Sequence, residues 1–215
     1  MANSKFHHEE IYRGADLTKR LGARSIVVCG DGSIGSNLMD TLARQGFSRL
    51  RVIDMDRVET HNINTQVFEE SDVGALKVSA TQNRIFRTVG IEVDTVSKRL
   101  EAKNVKKLLK GADLVVDGFD NFESRQLVQE HCRAQNIPCL HAGLNTDYGE
   151  VVWDEIYMVP KATDGDICDY PLARNLAMFV VSIAAEEIID FCLAEEPRKQ
   201  SWRITLKDLK IGAYK

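Results

Sequence analysis

Arg24-Ser-Ile-Val-Val-Cys29 runs directly into Gly30-Asp-Gly-Ser-Ile-Gly35, and the reading of this stretch decides the fold. A short β-branched run that meets a glycine cluster predicts a buried strand. Ser33 to Gln45 then predicts a helix, with Ile34, Leu38 and Leu42 on one face and Gly46 at its end. Strand, G-x-G-x-x-G loop and helix are the context in which such glycines bind a nucleotide. Gly30, Gly32 and Gly35 let the backbone turn tightly and approach a phosphate, with Ser33 among them. The helix N-terminus adds unpaired N–H groups and positive potential. Asp54 ends the next predicted strand, Leu50 to Ile53, where an acid accepts hydrogen bonds from a ribose. The ordinary alternative is a glycine-rich turn with no ligand. The loop does not by itself choose between NAD, FAD and ATP.

Outward from the loop, the same alternation continues. Ala75 to Val89 predicts a helix, Ile91 to Val96 a strand, Ala102 to Lys110 a short basic helix, and Ala112 to Val116 a strand. Phe122 to Asn136 is a helix again and Pro138 to Ala142 a strand. This βαβ rhythm predicts a mostly parallel sheet with helices on both faces. After Gly149 the rhythm changes. Val151 to Met158 alternates and predicts an antiparallel strand, Lys161 to Asp169 a polar loop, Leu172 to Leu193 a long helix, and Trp202 to Leu206 a closing strand. The expected fold is α/β: a Rossmann-like, doubly wound, mostly parallel sheet with antiparallel C-terminal strands. One domain over 1–215 is expected, with residues 1–23 as an N-terminal helical arm.

Composition limits the functions. Of 215 residues, 44% are hydrophobic and 28% charged, which excludes disordered, collagenous and coiled-coil chains. The net charge is −4, so no general electrostatic case exists for nucleic acid or an anionic membrane. The five cysteines form no C-x-x-C pair, which argues against a disulfide framework and a structural zinc site. Reduced thiols and a start without an apolar segment predict a cytoplasmic protein. The Leu172–Leu193 stretch is long enough to span a bilayer. Arg174, Glu186, Glu187 and Asp190 inside it argue for a buried helix instead.

Three further segments narrow the nucleotide. They are Asp54-Met-Asp56-Arg-Val-Glu-Thr-His-Asn62-Ile-Asn-Thr-Gln66, Asp72-Val-Gly-Ala-Leu-Lys77, and Asp117-Gly-Phe-Asp120-Asn121 followed by Arg125. A hard oxygen ligand at a strand end suits magnesium, which makes Asp120 a candidate metal ligand. Lys77 opens a helix and reaches phosphates as a point charge. Asn62 and Gln66 offer hydrogen bonds to ribose or phosphate. Each residue also has an ordinary role: a strand-end cap, a solvated helix face, a helix N-cap. Together the segments resemble the ThiF/MoeB/HesA family of adenylating enzymes, which includes the ubiquitin-activating enzymes. The family writes D-x-D-x-V-x-x-x-N-x-x-R-Q, D-V-G-x-x-K and D-x-x-D-N-x-x-x-R. The resemblance implies ATP and Mg2+ as cofactors, with Asp120 on the metal, Lys77 on the triphosphate and Asp54 on the ribose. Asp56 and Asn121 belong to the same motifs. It further implies a homodimer, and a partner that is a ubiquitin-like or sulfur-carrier protein with a C-terminal Gly-Gly.

The departures from the pattern are informative. Thr65 stands where the family has an arginine, and a neutral hydroxyl replaces neither its charge nor its fork. Arg13 is the expected substitute, lent across a homodimer; Arg57 and Arg84 are weaker candidates. Cys168, ahead of the long helix, is a candidate thioester or persulfide acceptor: a helix N-terminus lowers a thiol pKa, while Asp166 and Asp169 raise it. Cys29 and Cys192, on a buried strand and a core helix, are poorer nucleophiles. Of the five histidines only His61 is singled out, since none shows ligand spacing. The expected function is ATP-dependent adenylation of a carrier's C-terminal carboxylate. The alternatives are a catalytically weakened binding subunit of an activating complex and, last, an NAD-dependent oxidoreductase.

Overall fold

The structure is a computed structural model and describes residues 4–160, 171–194 and 199–214. Two short helices, α1 (His7–Arg13) and α2 (Leu17–Gly22), precede β1 (Ser25–Cys29). Then come α3 (Gly35–Gln45), β2 (Arg49–Ile53), α4 (Lys77–Val89), β3 (Asp94–Val96), α5 (Val105–Leu108) and β4 (Leu114–Asp117). The chain continues through α6 (Phe122–Gln135), β5 (Cys139–Asn145), β6 (Tyr148–Trp153), α7 (Arg174–Leu193), β7 (Ser201–Thr205) and β8 (Lys210–Tyr214). One sheet carries all eight strands in the order β3-β2-β1-β4-β5-β6-β7-β8. The first five are parallel and the last three add antiparallel. This is the expected mixed, mostly parallel α/β fold. Its strand order reverses between β1 and β4, the place where such sheets bind ligands.

The core follows from the sequence. β1 is buried on both faces and reads as a continuous apolar run. α3 places Leu38, Met39 and Leu42 against the sheet and ends on Gly46 at φ 110°, a left-handed cap that glycine adopts without strain. α7 packs Leu176, Val180, Ala184 and Ile188 against β5–β7. Its buried Glu187 is not a flaw in that face. The carboxylate accepts the indole N–H groups of Trp153 at 2.9 Å and Trp202 at 2.8 Å and the Gln200 amide at 3.1 Å. Among the described residues no helix is long and apolar enough to cross a membrane.

Several boundaries differ from expectation. β6 begins at Tyr148 and ends at Trp153, not Met158, because the chain turns at Asp154 with Ile156 N–H on the Trp153 carbonyl at 3.2 Å. Asp154 keeps a last rung, its amide donating to the Cys139 carbonyl at 3.1 Å, while its side chain takes His141 and Arg133. The basic helix shrinks to Val105–Leu108, the third strand to Asp94–Val96, and β8 was not expected.

Candidate functional site

A cleft of about 900 Å³ opens over the carboxyl ends of the parallel strands and runs along β5 and β6. The glycine loop forms its floor. Gly30 sits at φ 90°, and a Cβ there would lie 3.0 Å from the Gly118 carbonyl. A Cβ on Gly35 would lie 1.8 Å from the Gly30 carbonyl, so the loop closes only with glycine. Gly32 is the opposite case: nothing stands within 4 Å of its Cβ position, which leaves open room over the start of α3.

The walls come from the polar segments. Asn37 on α3 donates to the carbonyls of Ser33 at 2.7 Å and Thr65 at 2.8 Å, tying the loop to the 62–66 turn. Ser33 also donates to the Thr65 hydroxyl at 2.9 Å. Asn62 lies in a short 3-10 turn and accepts from the Glu59 amide at 2.9 Å. Lys77 Nζ stands 3.3 Å from Asp56 at the cleft wall. Asp54 lies beneath them, with its two carboxylate oxygens accepting the Asp31 and Asp56 amides, each at 2.7 Å. Burial pushes its carboxyl up, against Lys77 and those two donors. Asp31 is fully buried, accepts from Thr81 at 2.8 Å, and is pushed up to about 7 by burial and by Asp54.

After β4 the chain turns through Gly118, Phe119 and Asp120, and Asn121 caps α6 by accepting the Ser124 amide at 2.9 Å. Beyond this turn the same cleft continues along Arg125, Gly143, Tyr148, Glu150 and Tyr157, its second lobe. Arg125 donates to Tyr157 Oη at 2.8 Å and to the Ala142 carbonyl at 3.1 Å, and pairs with Asp117 at 3.5 Å. Burial would push Asp117 up, but Arg125 and His141 carry it below the usual carboxylate range.

The cleft therefore brings together Gly32, Ser33, Asp56, Asn62, Gln66, Lys77, Asp120 and Asn121. Gly30, Gly35 and Asp54 lie under it. Arg13 is elsewhere, bound to Glu9 and Glu186, and does not line this chain's cleft. Arg57 donates to the Gly74 carbonyl, and Arg84 pairs with Asp40 and Glu69. Cys168 lies outside the described residues. Cys29 and Cys192 are buried, with their thiols pushed up by that burial, Cys192 to about 12. His61 lines the cleft as an exposed neighbour of Glu59.

Sequence spacing missed two features. Arg174, at the start of α7, points Nη1 at the carbonyls of Asn64 and Gln66, 3.4 Å from each, beside the position where Thr65 replaces arginine. His141, set aside for lack of spacing, is buried between Asp117 and Asp154. The one available signal was register: Asp117 and His141 are paired positions on adjacent parallel strands.

The ThiF family model matches residues 7–203. Among curated relatives, the SAMP-activating enzyme E1 of Haloferax volcanii is 34% identical over 133 residues, covering 61% of this chain and 49% of that protein. The sulfur carrier protein adenylyltransferase of Thermus thermophilus is 35% identical over 151 residues, covering 68% of this chain and 56% of that protein. The chain thus spans about half the length of these relatives. Among solved structures, E. coli MccB with ATP superposes with a TM-score of 0.82 at 22% identity over 99% of this chain and 71% of MccB. MccB with MccA-N7isoASN gives a TM-score of 0.84 at 22% identity, covering 99% of this chain and 72% of MccB.

Proposed function

The chain belongs to the ThiF family, and from that premise and its cleft we propose that it is a Mg·ATP-dependent adenylyltransferase. Its substrate is the C-terminal carboxylate of a small carrier protein or peptide. The observation that carries this reading is one continuous cavity with two lobes. The open glycine loop, Lys77 and Asp120 line the first, and Arg125, Gly143 and Tyr157 line the second.

The first lobe suits a triphosphate. Gly32 leaves space for phosphate against backbone N–H groups. Asp120 presents an exposed carboxylate that, among the described residues, accepts from the Asn121 amide at 3.4 Å, so a hard oxygen ligand would be available to hold magnesium. Magnesium would neutralise phosphate charge. Asp56 offers its carboxylate to the ribose, and Asp54 beneath it fixes the Asp31 and Asp56 amides that shape this end. The second lobe takes the tail. Gly143 lies on its wall with the Arg125 and Glu150 side chains close by, and a slim Gly-Gly terminus would lie along it. A carboxylate oxygen then forms a bond to the α-phosphorus, and the bridging bond to the β-phosphate breaks. Pyrophosphate leaves with that electron pair, and the acyl-adenylate remains. The residues contribute position and charge neutralisation.

The test is ATP–pyrophosphate exchange in the presence of a carrier ending in Gly-Gly. The wild-type chain is expected to exchange and Asp120→Ala to lose it, with Mg·ATP binding weakened by about tenfold or more in calorimetry. Equal binding by Asp120→Ala would remove Asp120 from the site. Thr65 favours a second reading, a binding subunit that holds ATP without turning it over. Mg·ATP binding with no exchange, whichever carrier or peptide is supplied, would establish that reading instead.

A further inference from the structure

His141 lines no surface of the cleft, yet three parts of the cleft rest on it. The ring is fully buried. Nδ1 lies 2.8 Å from Asp117 Oδ2 and Nε2 lies 3.1 Å from Asp154 Oδ1. A neutral imidazole has one donor and one acceptor, so it satisfies only one carboxylate and turns a lone pair on the other. Only the imidazolium donates to both. The Tyr157 ring stacks on it, with centroids 3.8 Å apart and planes 14° from parallel.

Two of its partners, Asp117 and Tyr157, lead to the cleft. Asp117 uses its second oxygen to accept the Phe119 amide at 3.1 Å, which bends the turn that presents Asp120. The same turn packs on the glycine loop through Gly118, whose amide donates to the Cys29 carbonyl at 2.9 Å. Tyr157 and Arg125, joined at 2.8 Å, form the wall of the second lobe. On the far side, Asp154 is held by Gln129 and Arg133 of α6 at 2.9 and 2.8 Å.

We propose that His141 is a positioning residue: a buried imidazolium clamp that fixes the Asp117–Asn121 turn and the Tyr157 wall, and so sets the distance between nucleotide and tail. The proposal rests on the adenylation reading and adds a residue to it. Asp117 from β4 and Asp154 and Tyr157 from the turn after β6 meet the ring; Arg125 and Arg133 of α6 pair with the two carboxylates, and the thiols of Cys29 on β1 and Cys139 on β5 lie in electrostatic reach of Asp117. Burial works against a charged ring here. The hydrogen bonds to Asp117 and Asp154 outweigh it and hold the imidazole above its ordinary value. The sign follows. A clamp whose folded pKa is raised is complete below the ordinary histidine value of about 6.5 and is lost as pH rises through the raised value.

The experiment uses the full chain. Nitrogen-15 spectra of labelled histidine, assigned by comparison with His141→Asn, are expected to show both ring nitrogens protonated at pH 6.5. They should titrate at a higher pH than the four other histidines. A neutral His141 tautomer at pH 6.5 would overturn the clamp. Calorimetry of Mg·ATP binding should show affinity falling in the wild type as pH passes through that titration. His141→Gln, which reaches one carboxylate at a time, should bind about tenfold more weakly and without that pH step. His141→Asn, whose amide can stand in for Nδ1 toward Asp117, should lie between the two. Wild-type and His141→Gln profiles that superimpose would overturn the proposal. If the wild type binds no Mg·ATP at all, the adenylation reading falls, and the ring titration still decides whether the clamp exists.

Discussion

At position 65 a hydroxyl stands where the family carries a guanidinium, and the surroundings show how the fold accommodates it. Thr65 is buried and takes the Ser33 hydroxyl, so it keeps the link to the glycine loop while giving up the charge. Arg174 approaches the same segment from α7 through the Asn64 and Gln66 carbonyls. Among the described residues its guanidinium meets two neutral carbonyls at long range, contacts weak enough to exchange for a triphosphate at small cost. Arg174→Ala is expected to raise the KM for ATP in pyrophosphate exchange by about tenfold and Arg174→Lys by less, since a point charge replaces part of a fork. Its side chain is exposed, so the thermal midpoint should stay in place. An unchanged KM would clear Arg174 of any part in nucleotide binding. At this scale the motif residues were legible because backbone turns and strand ends leave marks in sequence. His141 and Arg174 were not, because their partners lie far along the chain and meet them only through strand pairing and helix docking.

The elements were legible where burial imposes a period and obscure where it does not. β1 from Ile26 to Cys29 and β4 from Leu114 to Val116 are apolar runs because both faces are covered. β8 reads Lys210-Ile-Gly-Ala-Tyr214 with its first four residues exposed, so no alternation marks it. The long helix shows how an apparent contradiction in composition becomes structure. Glu187 interrupts an apolar face, and that interruption ties α7 to β6 through Trp153 and to β7 through Trp202. Removing it strands two indole N–H groups, one of them on a fully buried side chain. Glu187→Ala is expected to cost about 3 kcal/mol in urea unfolding, and Glu187→Gln less, because its carbonyl still accepts one donor. A variant that melts with the wild type would show that water replaces the carboxylate and that the helix is held by packing alone.

Across the whole molecule, the proposed function would draw the nucleotide end of the cleft from the parallel half of the sheet and the tail end from β5 and the antiparallel extension. The division was visible in the sequence as the change of rhythm after Gly149. What the sequence could not place was Arg13. In the folded chain α1 contributes no buried residue, and its Ile11 and Tyr12 are 69% and 79% exposed. Beside them, Arg13 is held by Glu9 and by Glu186 of α7. An exposed apolar pair next to an arginine that its own cleft does not use fits a surface covered by a second copy of the chain. The expected state is a homodimer of two-fold symmetry, in which such a patch meets its counterpart and each Arg13 is lent across. Light scattering at micromolar concentration should give twice the chain mass. Activity offers the sharper measurement, through two inactive variants mixed under conditions that exchange subunits. If Arg13 acts in trans, Arg13→Ala and Asp120→Ala complement each other. A mixed dimer then has one site that keeps its own Asp120 and receives an intact Arg13, and exchange should recover to about a quarter of wild type at equal mixing. If Arg13 served its own chain, each mixed dimer would instead hold two singly impaired sites, and no exchange would return. A tandem-linked dimer gives the converse test. With both substitutions in the same half, trans action leaves one impairment in each site and abolishes exchange, whereas action within one chain leaves one site intact. A monomer in solution, or activity in that linked dimer, would overturn the lent arginine.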